Sequence, residues 1–365
     1  MNARSKSVIG PNGTIGIVGG GQLGRMIGMA ASRLGYRVHV FTDQADSSAA
    51  QITNRVTVAA YDDLDAMRRF ADAVDVVTIE FENLPVDGLR AIAGDVPVHP
   101  SPEALAICQD RLTEKTFLRG LDVPTAPFAG VSSATDLESA LAAIGSPAVL
   151  KTRRMGYDGK GQMRLEHGAD PEAVWNELGG QDAVLEGFVT FERELSVIVA
   201  RGTDGEKAAY VPVENLHENH ILSKTIAPAL MPDDQAKAAE MLALRIAEGL
   251  DLVGLLAVEM FQTSDGQILV NELAPRPHNS GHWTIDACLV SQFEQTVRAI
   301  TGLPLGSPER FSDAVMDNLL GEAAESWSDL IQRPNARLHL YGKMPIKPGR
   351  KHGHVTTLCP TTPKA

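Results

Sequence analysis

A chain of 365 residues is too long for one ordinary core and predicts two or three domains. Hydrophobic residues at 44% and charged residues at 22% describe a globular protein in water, and a net charge of −13 argues against a general nucleic-acid surface, which needs a basic stripe. No apolar run approaches the roughly 20 residues that span a bilayer, so no membrane partner is expected. Cys108, Cys288 and Cys359 are few and widely separated. That fits reduced thiols in a cytoplasm rather than a disulfide framework or a zinc site.

The start, MNARSKSVIGPNG, has no apolar signal region and reads as a flexible leader over 1–13. From 14 to 115 apolar strands alternate with amphipathic helices. IGIVGG, YRVHVFTD, RVTVAAY and DVVTIEFEN read as strands, and QLGRMIGMAASRLG and DLDAMRRFADAV as helices. This alternation predicts a doubly wound parallel sheet, a Rossmann-like domain. Where the first strand meets the first helix, Gly19, Gly21 and Gly24 take the G-x-G-x-x-G spacing, and Asp43 ends the second strand. Two readings stand: a dinucleotide turn with Asp43 on ribose hydroxyls, or glycines that only permit a tight turn and close helix packing.

VPTAPFAGVSS, rich in Pro, Gly and Ser, reads as a boundary loop. A small lobe over 116–190 then holds SPAVLKTRRMGYDGKGQMRL, two strands with a glycine-rich turn, the helix DPEAVWNELGG and the strand DAVLEGFV. A larger lobe over 191–365 is mainly antiparallel, with the helix DDQAKAAEMLALRIAEGL among its strands. The fold class is α/β in front and α+β overall.

The later segments carry the chemistry. Lys151 ends a strand, and Gly156, Gly159 and Gly161 beside Lys160 let backbone N–H groups and ammonium groups close over phosphate oxygens. A plain hairpin turn containing Asp-Gly is the other reading. Glu259 and Glu272 are carboxylates inside otherwise apolar strands joined by a turn at TSDG, a hairpin able to bring both to one face. With Asn271 they suit Mg²⁺, which takes oxygen ligands; a salt bridge to Arg276 or another base is the alternative. Lys343, Lys347, Arg350 and Lys351 form a late basic cluster in an acidic chain, either a local anion trap or a solvated tail. No Ser-His-Asp or Cys-His arrangement stands out.

In chain order, Lys151, the glycine loop, EGFV, Glu194 and the Glu259/Asn271-Glu272 pair follow the ATP-grasp pattern. More narrowly, GGGQLGRM, TIEFEN, DRLTEK, GYDGKGQ and NELAPRPHNSGHWT together resemble the N5-carboxyaminoimidazole ribonucleotide synthetase family, ATP-dependent carboxylases of bacterial and fungal purine synthesis. The resemblance runs from about Ile15 to about Thr357. It implies an ATP-grasp fold with a Rossmann-like front domain, and ATP held between the two later lobes. Arg111 and Lys151 would contact phosphates, and Gly156, Tyr157, Asp158, Gly159, Lys160, Gly161 and Gln162 would cover them. Glu186, Gly187, Phe188 and Val189 would hold adenine, Glu194 the ribose, and His217 would line the pocket.

Glu259 and Glu272 would bind magnesium, with Asn271 beside the nucleotide. Lys343 and Arg350 would take the substrate phosphate and Asp158 the amino-imidazole, these three being the catalytic candidates. Gln22, Leu23, Glu82, Arg276, His278, Asn279 and Ser280 would surround that substrate. The implied reaction uses ATP and bicarbonate to carboxylate aminoimidazole ribonucleotide through carboxyphosphate, in a cytoplasmic homodimer. A formate-dependent glycinamide ribonucleotide transformylase is the alternative within the superfamily. Under this resemblance the opening turn faces the ribonucleotide, with N–H groups at the helix N-terminus available to an anion.

Overall fold

The computed structural model describes residues 8–156 and 159–361. In the front domain, β1 (Thr14–Val18), α1 (Gln22–Arg33), β2 (Arg37–Thr42), β3 (Val56–Val58), α2 (Leu64–Ala71), β4 (Val76–Ile79), α3 (Val86–Ile92) and β5 (Val98–His99) follow one another. Their strands form a parallel sheet of order β3-β2-β1-β4-β5. β1 is buried along its whole length, as an inner strand covered on both faces requires. Gly16 lets Phe70 of α2 lie against it: a Cβ there would come 2.7 Å from the ring.

α4 (Pro102–Cys108) and α5 (Arg111–Gly120) lead into the small lobe. There β6 (Phe128–Val131), α6 (Ala134–Ile144), β7 (Ala148–Thr152), β8 (Gln162–Leu165), α7 (Pro171–Glu177) and β9 (Ala183–Gly187) build an antiparallel sheet of order β6-β9-β7-β8. The segment read as a boundary loop therefore contains a strand. FAGV pairs with β9, because Gly130 and Ala129 are small enough to lie flat while Val131 is buried.

The large lobe contains β10 (Arg193–Arg201), β11 (Lys207–Ala209), β12 (Val213–Glu218), β13 (Ile221–Ala227), α8 (Asp233–Gly249), β14 (Gly254–Gln262), β15 (Ile268–Ala274), α9 (Thr284–Ala287), α10 (Gln292–Thr301), β16 (Asp313–Leu320), α11 (Trp327–Leu330), β17 (Ala336–Leu340) and β18 (Lys351–Cys359). Its antiparallel sheet runs β15-β14-β10-β12-β13-β16-β18-β17, with β11 on β10. Ala239, Ala243, Ile246 and Ala247 of α8 pack on Val197, Leu256 and Val258 to make one core. A second core joins Ile27 and Ala31 of α1 to Phe293, Val297 and Ile300 of α10, which fixes the front domain against the large lobe.

The leader differs from the expectation. Residues 8–13 are held: the Ile9 N–H donates to the Thr301 carbonyl, and Tyr36 Oη donates to the Ile9 carbonyl at 2.6 Å. Ile9 packs against the same core, which supplies the apolar contact that keeps the segment in place. Among the described residues no helix is long and apolar enough to cross a membrane.

Candidate functional site

Three elements converge on one end of the cleft. Asp110 caps α5 by accepting from the Leu112 and Thr113 N–H groups, and it also pairs with Arg153 at 2.8 Å and Arg154 at 3.2 Å. The helix therefore starts at Arg111, and the i, i+3, i+4 spacing puts Arg111, Glu114 and Lys115 on one face. That face meets β15: Arg111 reaches Glu272 at 2.9 Å, and Glu114 accepts from the Leu273 N–H. The β14–β15 hairpin sets Glu259 directly across from Glu272, beside an irregularity at Glu259/Met260. Both carboxylates thus share one face, as the sequence predicts. Each also has a basic partner, as the salt-bridge alternative expects, though a base other than Arg276: Arg111 for Glu272 and His278, at 3.0 Å, for Glu259. Burial would raise the Glu259 carboxyl, but His278, His217 and Arg276 outweigh it and hold it down at about 2.

These groups face a cavity of about 710 Å³, within the ordinary size of a ligand pocket. Its wall takes Gln22, Leu23 and Glu82 from the front domain. Arg111, Lys151, Gly156, Gly159, Lys160, Gln162 and Phe188 come from α5 and the small lobe. Glu194, His217, Glu259, Asn271, Glu272, Arg276, His278 and Asn279 complete it from the large lobe. Glu194 lies 2.9 Å from His217, whose pKa rises because that carboxylate outweighs its burial. The glycine loop reaches across the cleft: Gly159 has φ +78°, and a Cβ there would come 2.6 Å from His220. Tyr157 and Asp158 lie outside the described residues.

A second cavity of about 380 Å³ adjoins the first, and Glu80 and Phe81 line both. Gly20, Gly21, Ser47, Lys343 and Arg350 form part of its wall. Lys343 bonds Gln22, and burial together with Arg350 and Lys351 pulls its ammonium down to about 8 against the pull of Glu80. Arg276 pairs with Glu82 on the wall of the first cavity.

Three expectations need correction. The start of α1 does not stand open to a ligand anion, because Glu80 occupies it. Its carboxylate takes the Gly21 N–H at 2.8 Å and the Gly24 N–H at 3.4 Å. Glu186 does not line the cavity. Its side chain is buried and holds the Lys115 and Lys151 ammonium groups at 3.3 and 3.1 Å, while the Gly187 and Phe188 N–H groups donate to Pro127 and Pro147. Ser280 is fully buried and bonds Ser196 and His278, so it orients His278 rather than facing a ligand. Gly187, Val189 and Gly161 are also off the wall. Gly161 is required by φ +72° and by Thr152, 2.5 Å from where a Cβ would stand.

Glu80 and Lys115 belong to the site as well, one in TIEFEN and the other in DRLTEK. A charged residue inside an apolar strand or on the buried face of a helix was the available signal.

Known proteins match this chain along its length. Residues 13–109 match a ribonucleotide synthetase preATP-grasp domain, 116–293 an ATP-grasp domain, and 314–365 a phosphoribosylaminoimidazole carboxylase C-terminal domain. The N5-carboxyaminoimidazole ribonucleotide synthase of Brucella melitensis is 48% identical over 98% of this chain and 99% of its own. A bifunctional purine synthesis protein of Dictyostelium discoideum is 46% identical over 96% of this chain, which spans only 38% of that longer protein. The N5-carboxyaminoimidazole synthase of Aspergillus clavatus, solved with ADP and 5-aminoimidazole ribonucleotide, is 32% identical. It superposes with a TM-score of 0.89 over 96% of this chain and 94% of its own.

Proposed function

The chain belongs to the N5-carboxyaminoimidazole ribonucleotide synthase family, and we propose how its residues divide the ATP-dependent carboxylation of 5-aminoimidazole ribonucleotide that defines that family in purine biosynthesis. The enzyme is an ATP-grasp carbon–nitrogen ligase. One observation carries the division of labour: two cavities joined at Glu80 and Phe81, one holding paired carboxylates and cations, the other Lys343 and Arg350.

ATP takes the larger cavity. Arg111 and Lys151 meet its phosphates, Gly156, Gly159, Lys160 and Gln162 cover them, Phe188 lies against the base, and Glu194 holds the ribose. Glu259 and Glu272, opposed across the hairpin with Asn271 beside them, fit a hard divalent cation by donor type. Magnesium bound there supplies charge neutralisation of phosphate oxygens. The Arg111–Glu272 pair opens when nucleotide enters, which frees the guanidinium for phosphate.

The ribonucleotide takes the smaller cavity, with its phosphate on Lys343 and Arg350 and its imidazole toward Glu82, Arg276 and His278. A bicarbonate oxygen attacks the γ-phosphorus, its bond to phosphorus forming as the bond to ADP breaks. Arg111 and Lys151 offset the charge on the transferring group. The carboxyphosphate so formed is short-lived in water, so a site that keeps solvent from it favours transfer. The carboxyl carbon passes to the exocyclic amine, phosphate leaves, and the amine loses a proton. The same reading takes the protein as a cytoplasmic homodimer. Three free cysteines support the compartment, and sedimentation tests the assembly.

Carbon-13 bicarbonate tests the reaction directly. Label is expected in a carbamate on the ribonucleotide, with ADP formed only when bicarbonate and ribonucleotide are both present. ADP formation that requires formate and ignores aminoimidazole ribonucleotide would overturn the reading.

A further inference from the structure

Lys115 is fully buried, outside the cavity wall, and joined to both lobes. Its ammonium donates to the Asn271 carbonyl of the large lobe at 2.8 Å and lies 3.3 Å from Glu186 Oε2 of the small lobe. Lys151, on the cavity wall, lies 3.1 Å from that same oxygen and donates to Asn271 Oδ1 at 3.4 Å. Two ammonium groups therefore share one buried carboxylate oxygen, and both also hold Asn271.

We propose that Lys115 is a positioning residue for ATP, neutralising Glu186 so that the Lys151 charge stays available to the nucleotide phosphates. This rests on the ATP-binding reading of the larger cavity. A buried carboxylate needs a positive partner. With Lys115 present, that partner already exists, and Lys151 can turn its charge toward an incoming phosphate without leaving Glu186 uncompensated. Without it, Lys151 becomes the sole counter-charge, and every phosphate contact it makes competes with Glu186. Burial alone would raise the Glu186 carboxyl, yet Lys115 and then Lys151 hold it below its usual range, in keeping with a shared anion. The i+4 position after Arg111 explains how one helix face serves both roles: Arg111 meets Glu272 directly, and Lys115 acts one layer deeper.

The test is a charge rescue. Lys115→Met is expected to raise the KM for ATP about 10- to 100-fold, the range for losing a charge-assisted contact, while the KM for ribonucleotide stays near normal. Adding Glu186→Gln removes the uncompensated carboxylate and is expected to recover most of that loss. Glu186→Gln alone leaves the buried Lys115 ammonium without its carboxylate, so the rescue is read from the double variant against Lys115→Met.

A double variant as impaired as Lys115→Met would overturn the proposal and leave Lys115 a lobe tether. If Lys115→Met does not fold, Lys115→Gln removes the charge while still donating to the Asn271 carbonyl, and the same outcomes decide. Wild-type ADP formation dependent on bicarbonate and ribonucleotide is measured alongside. Its absence would count against the functional reading, whereas a failed rescue in an active enzyme counts against Lys115.

Discussion

Two helix starts in this molecule handle anions in opposite ways. α1 begins at Gly21, which has no side chain to cap it, and Glu80, 59 residues further on, accepts the Gly21 N–H. α5 begins after Asp110, which caps it from within and leaves Arg111 turned into the cleft. The glycines at α1 are sterically required, since a Cβ on Gly21 would stand 2.5 Å from Glu80 Oε1. A helix N-terminus attracts negative charge, and at α1 the protein's own carboxylate satisfies it. At α5 the first turns present side-chain cations instead. The glycine spacing thus reports a backbone geometry, and the cations that face the cavities stand in DRLTEK and in the late basic segment.

The largest expected effect lies on the α5 side. Glu272→Gln keeps the shape of the site, removes the partner of Arg111 and halves the paired carboxylates. It is expected to lower kcat by about 10²- to 10³-fold, the usual scale for one preorganised electrostatic contact. Near-normal turnover with magnesium would remove Glu272 from the metal shell and weaken the case that α5 organises the nucleotide end. On the α1 side Arg350→Ala is expected to raise the KM for ribonucleotide about 10-fold or more, with ATP affinity nearly intact. An equal loss of both would mean that the two ends are not separate.

A smaller effect separates the ends by pH. The Lys343 ammonium, lowered to about 8 by burial, Arg350 and Lys351, carries its charge below that value and loses it above. The KM for ribonucleotide is therefore expected to climb above pH 8, by at most about 10-fold per unit, while the KM for ATP stays flat over the same range. Lys343→Arg keeps the charge at all these pH values and should flatten the rise. A rise shared by both substrates would place the titrating group elsewhere.

Much of the architecture was legible because it is local. Strand–helix alternation gave the parallel front sheet, and two acids in apolar strands flanking TSDG gave the opposed pair Glu259 and Glu272. What stayed hidden depends on partners distant in the chain. Nothing near Gly21 announces Glu80, and nothing in EGFV reveals that Glu186 turns away from the cavity toward Lys115 and Lys151. FAGV was hidden too, since a short strand rich in small residues reads as loop until β9 pairs with it. Ser280 has the composition of a ligand contact, but its hydroxyl points to Ser196. Backbone periodicity is written in neighbours; the destination of a buried charge is written in tertiary contacts.

The smallest expected effect tests the α1 side of the comparison most directly. Glu80→Ala leaves the Gly21 and Gly24 N–H groups without their carboxylate, and losing a helix N-cap costs about 0.5–2 kcal/mol. Glu80→Gln keeps an acceptor oxygen for one of them and should lose less. Denaturant unfolding without ligand reads both changes, because activity would mix this effect with the place of Glu80 on the walls of both cavities. Burial raises the Glu80 carboxyl, and the two N–H groups and Lys343 oppose that rise, so the carboxylate and the helix start stabilise each other. If Glu80→Ala were neutral in water yet strongly stabilised by inorganic phosphate, α1 would be an anion seat that Glu80 merely fills. The contrast between the two helix starts would then be one of occupancy rather than of construction.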